Sequence, residues 1–306
     1  MRLVVALGGN ALLERGEVPM AEVQQRHVVS AVAALVPLVR DHHLLLTHGN
    51  GPQVGLLARE SAEDPVLPHP YPFDILGAQT QGMIGYLLLQ AIENALPAQP
   101  VASLICQTVV DADDPAFEDP TKFVGPTYGE EEGRLVAQRF GWAVRRDGAA
   151  WRRVVASPEP RQLVELATIR TLLAQGVLVV CAGGGGVPVC RSADGQLRGV
   201  EAVVDKDLTA ALLARELDAD ALLLLTDVAA VELGFGTEEA HPIHRCHPAA
   251  LRSLQFAAGS MGPKVDAACR FVEATGRPAM IGRLGDAAGL LDGTKGTRIE
   301  RDPASR

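Results

Sequence analysis

Lysine is scarce in this chain. Of the 28 basic residues only four are lysine, namely Lys122, Lys206, Lys264 and Lys295, and arginine supplies the rest. An arginine-rich coding bias accounts for the excess of arginine but not for where the lysines fall. They mark places where a compact ammonium is wanted and a planar guanidinium is not. No basic cluster occurs either, and a net charge of -9 repels a polyanion, so nucleic acid is not expected as a partner. Apolar stretches such as residues 221–225 are far shorter than the roughly 20 residues of a membrane helix, which argues against a membrane partner. The five cysteines (Cys106, Cys181, Cys190, Cys246, Cys269) form no C-x-x-C pair, and an odd number cannot all pair within the chain. A reducing, cytoplasmic setting follows. Arg2 precedes an apolar run, but Gly8, Gly9 and Asn10 interrupt it and no small-residue cleavage site follows, so the run reads as a first strand and not a signal peptide.

What is present suits a large core. The chain has 306 residues, 47% of them hydrophobic and 21% charged, enough for one large α/β domain or two small ones. Residues 3–7, 44–47, 101–110, 177–181, 221–225 and 279–281 read as strands, and 21–40, 74–96, 163–174, 208–217 and 265–274 as helices. Helices alternating with short apolar strands imply a mostly parallel sheet covered on both faces. Residues 112–160 break that rhythm, with many Asp, Glu, Pro, Gly and Arg together with Trp142 and Trp151, and are expected to form a small lid-like excursion. Asp194-Gly195 predicts a hairpin between residues 187–190 and 199–204.

Ligands of such sheets bind beyond the carboxyl ends of the strands. Four loops there are rich in glycine: Gly8-Gly9-Asn10, His48-Gly49-Asn50-Gly51-Pro52, residues 183–186, and Gly259-Ser260-Met261-Gly262-Pro263-Lys264. Any one of them is adequately explained as a tight turn. Four together point to an anion held by backbone N–H groups and helix N-termini. Lys206 and Lys264 fall at helix starts, against the helix dipole by up to about 1 kcal/mol, which a bound phosphate would reverse. Asp205 and Asp207 flank Lys206 and offer it an ion pair without any ligand. Lys122 lies on the excursion, in Pro120-Thr121-Lys122-Phe123-Val124-Gly125-Pro126, and Lys295 in an ordinary turn. Three of four lysines in such settings point to phosphoryl transfer, where charge on the moving group must be neutralised.

Competing chemistries find less support. There is no G-x-x-x-x-G-K-[ST] loop, and Gly49-x-Gly51-x-x-x-Gly55 is one residue too long for a dinucleotide fingerprint. Thr226-Asp227, followed by Gly234-Phe235-Gly236-Thr237, suits a nucleotide's ribose and base, and a plain turn explains it equally well. His241, His244, Cys246 and His247 are the one metal-like cluster, and Pro242 and Pro248 break any helix that would align them, so no metal site is assigned. No order of residues suggests a Ser/His/Asp or Cys/His nucleophile.

The segments 6–11, 48–55, 77–86, 120–128, 182–189, 204–207 and 259–265, taken in order, resemble the carbamate kinases of the amino-acid kinase family, and the resemblance runs from residue 1 to about 300. It implies a three-layer α/β/α sandwich with a mostly parallel central sheet and a small protruding subdomain. It also implies a homodimer; the helix of residues 74–96, whose Gly77, Gly82 and Gly85 permit close approach and whose apolar residues exceed one face, is expected at the interface. The implied reaction is ATP + carbamate ⇌ ADP + carbamoyl phosphate, with Mg²⁺ carried by the nucleotide, and it favours ATP formation. Residues 1–306 would be one domain, with the carbamate or carbamoyl phosphate in residues 1–198 and the nucleotide in 199–306. Matching the motifs, Gly8, Gly9, Asn10, Gly49, Asn50, Gly51, Gly184, Gly185 and Gly186 would line the carbamoyl-phosphate site. Lys122, Lys206 and Lys264 would hold phosphates, Asp207 would orient the lysines, and Thr226, Asp227 and Met261 would join Lys206 and Lys264 around the nucleotide. The alternatives are a relative phosphorylating another small carboxylate, such as an acetylated amino acid, and a nucleotide-binding regulator without catalysis.

Overall fold

Along β1 (Arg2–Leu7) the side chains alternate between two apolar clusters: Val4 and Ala6 join one, Leu3, Val5 and Leu7 the other. A strand buried on both faces must be apolar throughout, which is why this run shows no polar alternation. The computed structural model describes residues 1–14, 16–237, 239–254, 256 and 261–302. Gly259 and Ser260 of the last glycine loop lie outside the described residues, as does the side chain of Asn10.

From β1 the chain runs through α1 (Ala21–Asp41), β2 (His43–His48), α2 (Gly51–Glu63), α3 (Phe73–Ala95), β3 (Val101–Ser103) and β4 (Gln107–Val109). The excursion follows as β5 (Lys122–Tyr128), α4 (Glu130–Phe140), β6 (Val144–Asp147) and β7 (Ala150–Val155). The chain returns through β8 (Gln162–Leu163), α5 (Leu166–Ala174), β9 (Leu178–Val180), β10 (Val187–Arg191) and β11 (Leu197–Gly199). The last third holds α6 (Lys206–Glu216), β12 (Ala221–Thr226), β13 (Val231–Leu233), β14 (His241–Ile243), β15 (Arg245–Cys246), α7 (Pro248–Arg252), α8 (Met261–Thr275), β16 (Ala279–Arg283), α9 (Ala287–Asp292) and β17 (Thr297–Ile299).

Eight strands form the central sheet in the order β15-β17-β16-β12-β1-β2-β9-β3. All pairings are parallel except β16 with β17. Residues of α5, α6 and α8 cover one face and residues of α1, α3 and α9 the other, which makes the three-layer α/β/α sandwich. The chain leaves β1 for β2 on one side and later returns to β12 on the other. That reversal opens a crevice at the carboxyl ends of the central strands.

Three expectations need correction. Residues 101–110 are two strands in different sheets: the Gln81 side-chain amide occupies the Cys106 N–H between them, while the Cys106 C=O, which also receives Gln81, already accepts the Val187 N–H at 2.8 Å at the start of the second sheet. A helix, α2, begins directly at Gly51; its buried residues include Gln53 and Ser61 as well as Val54 and Ala58, so apolar periodicity is weak, and Pro52 in its first turn was the available signal. The antiparallel edge at β17 and the short α9 were not anticipated. The Asp194-Gly195 hairpin is present as β10 and β11, although its second arm ends at Gly199.

The excursion is a three-stranded antiparallel sheet, β5-β7-β6, with α4 against it. Val124 and Val155 anchor it to the body through Val54, Ala58, Phe73 and Leu76. Arg153 lies between Trp142 at 3.9 Å and Phe73 at 4.8 Å and pairs with Glu201, which also accepts the Phe73 backbone N–H at 2.9 Å.

Leu224 is fully buried on β12, between β1 and β16. Leu224→Ala is expected to lower stability by about 2–5 kcal/mol, read as a lower urea midpoint at unchanged slope. A loss below the cost of a surface substitution would contradict this placement of the core.

Candidate active site

The crevice is closed in by glycine. A Cβ on Gly8 would lie 2.9 Å from the Leu225 carbonyl oxygen, and one on Gly49 would lie 3.0 Å from the backbone N of Gly9. The ends of β1, β2 and β12 therefore approach to a distance that only glycine permits. In the loop after β9, Gly184, Gly185 and Gly186 have φ of +65°, +93° and +88°. A Cβ on Gly185 would sit 2.4 Å from the Val204 carbonyl oxygen, while the Thr108 and Thr209 hydroxyls donate to the Gly185 carbonyl at 2.7 and 3.0 Å. His48 lies beneath this loop, fully buried against Gly183, with Nδ1 3.0 Å from the Gly49 carbonyl. Burial pushes its pKa down to about 4, against a favourable hydrogen bond, and Lys206 lowers it further.

Two helices aim their N-termini into the crevice, and each carries a lysine in its first turn. Asp205 caps α6, so Lys206 is the first helical residue; Lys264 is the fourth residue of α8. Asp207 lies between them. Its Oδ1 accepts from Lys206 Nζ at 2.6 Å and its Oδ2 from Lys264 Nζ at 3.0 Å. Burial alone would raise the Asp207 carboxyl, but the two ammonium groups outweigh it and hold it at about 2. Burial lowers the Lys206 pKa, with Lys264 adding repulsion, whereas at Lys264 burial is outweighed by attraction and hydrogen bonding to Asp207 together with the charge of Asp205 and a hydrogen bond with Lys206, and the pKa is raised. Two ammonium groups thus share one carboxylate, which leaves an excess positive charge beside two helix N-termini. Lys122 reaches the same place from the excursion, its Nζ donating to Asp205 Oδ2 at 3.2 Å.

These groups line a cavity of about 790 Å³. Gly8, Gly9, Gly49, Asn50, Gly51, Gly184, Lys122, Lys206, Asp207, Lys264, Thr226, Asp227 and Met261 all lie on its wall. Gly185 and Gly186 do not; they pack behind Gly184 on Val204 and Thr108. Asn50 donates to the Thr80 hydroxyl at 2.9 Å and packs against Gly184, which fixes the loop it shares with the cavity. Lys295 is exposed in its turn, away from the wall.

Sequence reasoning overlooked several wall residues. Leu233, Leu254 and Phe256 add apolar surface to the wall beside Phe235 and Met261, the two apolar wall residues that the sequence had pointed to. Arg152 also lines the wall, its Nε bonded to the Gly125 carbonyl at 2.9 Å and its Nη1 3.4 Å from Asp147. It was invisible in a chain that uses arginine throughout. The His241–His247 segment disperses: His247 caps α7, and His241 and His244 lie beside the carbonyls of Glu239 and Gly296.

A sheet of this topology, with glycine loops and lysines converging at its strand ends, is the architecture of a phosphotransferase. The model of the amino acid kinase family matches residues 1–283. The carbamate kinase of Rhizobium meliloti (strain 1021) is 52% identical over 98% of this chain and 93% of its own length, and that of Haemophilus influenzae 46% over 98% and 97%. The solved structure of carbamate kinase from Giardia lamblia bound to AMP-PNP superposes with a TM-score of 0.91 at 39% identity, covering 98% of both chains. The chain belongs to the amino acid kinase family. It is a phosphotransferase with a carboxyl group as acceptor and ATP/ADP as the nucleotide substrate.

His48 gives the fold a pH dependence. Because burial holds its pKa at about 4, below the ordinary histidine value of 6.5, the unfolded chain takes up a proton that the folded chain refuses, and stability falls as pH drops from 6.5 towards 4. His48→Gln is expected to remove about one proton of this dependence, up to ~1.4 kcal/mol per pH unit in that window. Urea titrations at stepped pH measure it; equal slopes for both proteins would rule it out.

Proposed function

We propose that this chain catalyses ATP + carbamate ⇌ ADP + carbamoyl phosphate, with Mg²⁺ arriving on the nucleotide, and that it runs towards ATP. The observation that carries the reading is the Lys206–Asp207–Lys264 bridge, with Lys122 beside it, at two helix N-termini in a glycine-walled cavity. Carbamate is already an oxyanion, so its attack needs no general base. Among the described wall residues there is no histidine, and His48 is held neutral behind the loop. The reaction needs orientation and charge neutralisation, which fixed backbone N–H groups and ammonium groups supply. Carbamoyl phosphate, an acyl phosphate, is the better phosphoryl donor, which favours ATP as product.

In this reading Gly8, Gly9, Asn10, Gly49, Asn50, Gly51 and Gly184 cradle the carbamoyl phosphate, in residues 1–198 of a single domain. Gly185 and Gly186 act from behind, by holding Gly184 in place. Thr226, Asp227, Met261 and the apolar wall residues Leu233, Phe235, Leu254 and Phe256 take the nucleotide, in residues 199–306. The three lysines hold the phosphoryl group between them, and Asp207 keeps Lys206 and Lys264 apart and oriented. A larger dicarboxylate would need a free guanidinium on the wall; Arg152 is committed to Gly125 and Asp147, which favours the small acceptor. Free thiols at all five cysteines, three of them buried, support a reducing, cytoplasmic setting. No helix among the described residues is long and apolar enough to cross a membrane.

The test is coupled detection of ATP from carbamoyl phosphate, ADP and Mg²⁺. ATP should form well above the spontaneous background, and its absence with folded protein would overturn the reading. Replacing Lys206 or Lys264 by alanine or by arginine should each lower turnover roughly 10²–10³-fold. Arginine has no room there: the Lys206 stem already lies against Gly49, and both lysine side chains are only 12% exposed. Lys295→Arg should be silent.

We also infer a homodimer through α3. Ile75, Met83 and Tyr86 are exposed along one side of this helix, while Leu76, Ile84, Leu88 and Ile92 face the core. Gly85 serves the chain itself, since a Cβ there would meet Ser103. Light scattering at micromolar concentration should give twice the 32.3 kDa chain mass; the mass of one chain would refute the dimer.

A further inference from the structure

Asp205 stands where the excursion meets the body of the domain, and its two carboxylate oxygens have different partners. Oδ1 accepts from the backbone N–H of Asp207 at 2.9 Å and of Leu208 at 3.3 Å, which caps α6. Oδ2 accepts from Lys122 Nζ at 3.2 Å. The carboxylate is 13% exposed and the lysine side chain 39%. Contacts of Val124, Val155 and Arg153 fix the sheet of the excursion against α2 and α3 and act on residues other than Lys122, whose four-carbon stem is long and flexible. Among the described residues Asp205 is the one ion-pair partner of the Lys122 ammonium, and it acts from the cap of α6, directly before Lys206 and Asp207.

We propose that Asp205 is a positioning residue for phosphoryl transfer: it sets the Lys122 ammonium in register with the Lys206–Asp207–Lys264 bridge. The role rests on the phosphoryl-transfer reading above. It does not place Asp205 in contact with the substrate. When a phosphoryl group enters, Lys122 is already oriented towards it, and only the anion it faces changes.

Asp205→Asn separates the two tasks. An amide has one acceptor oxygen and cannot both cap α6 and receive Lys122; with the oxygen on the cap, its NH₂ faces the ammonium, donor against donor. Asp205→Ser keeps a capping oxygen and is too short to reach Lys122. Both variants should keep the wild-type melting temperature, lower kcat about tenfold and leave the KM for ADP within about twofold. In the double variant with Lys122→Ala the loss should be no greater than for Lys122→Ala alone, since both act through one contact. A readout independent of activity comes from the scarcity of lysine: the ¹⁵Nζ spectrum holds four signals, and Asp205→Asn should move that of Lys122 and leave that of Lys295 in place. An unmoved Lys122 signal, multiplying losses in the double variant, or a fall in kcat that merely tracks a lower melting temperature in both variants would each overturn the proposal. Absence of ATP synthesis by the wild type would instead strike at the proposed function, and the Lys122 signal would still decide the role of Asp205.

Discussion

Two buried ammonium groups cannot lie close together without an anion between them, and Asp207 is that anion. Taking three charged groups out of water is expensive, and the interaction among them repays it only with good geometry and full hydrogen bonding. Here each carboxylate oxygen meets one lysine, at 2.6 and 3.0 Å. The arrangement is still short of one negative charge, and the helix N-termini of α6 and α8 deepen the deficit. In the proposed function a phosphate would supply what is missing, and the same deficit would become useful as charge shifts onto a transferring phosphoryl group.

The rest of the fold meets the demands of that bridge. Lys206 and Lys264 come from helices on one face of the sheet, and α6 packs against α8. The glycines exist because β1, β2 and β12 end within van der Waals distance of one another and of the Lys206 stem. His48 supports the loop from below and stays neutral, so no further positive charge is buried under the site. Asp205 carries the arrangement outward, joining the cap of α6 to the lysine of the excursion.

The excursion was legible in the sequence as a loss of rhythm after residue 112, but its docking was not. Arg153 reads like any other arginine in this chain, yet it is 7% exposed and stacked between Phe73 and Trp142. Arg152, its neighbour, lines the cavity. Adjacent residues on a strand face opposite ways, so one serves the anchor and the other the wall. Which does which depends on the pairing of β5 with β7, whose register shifts between Val124 and Thr127.

By itself the sequence determined the class of fold, because apolar runs without polar alternation demand a sheet buried on both faces. It also pointed to the residues of the candidate site, through glycines at strand ends and three of the four lysines, which the fold brings to one cavity. Ordered motifs identified the family from those same residues. Only the tertiary structure decided how the charges pair. Asp207 was expected to orient the lysines and Asp205 had no role beyond flanking Lys206, but the first turn of α6 sends Asp205 to the helix cap and to Lys122, and Asp207 to Lys206 and Lys264. It likewise decided that of the four consecutive glycines 183–186 only Gly184 reaches the cavity, and that residues 101–110 pair in two different sheets. Each of these outcomes turns on a contact between segments distant in the chain, and local pattern carries no information about such contacts.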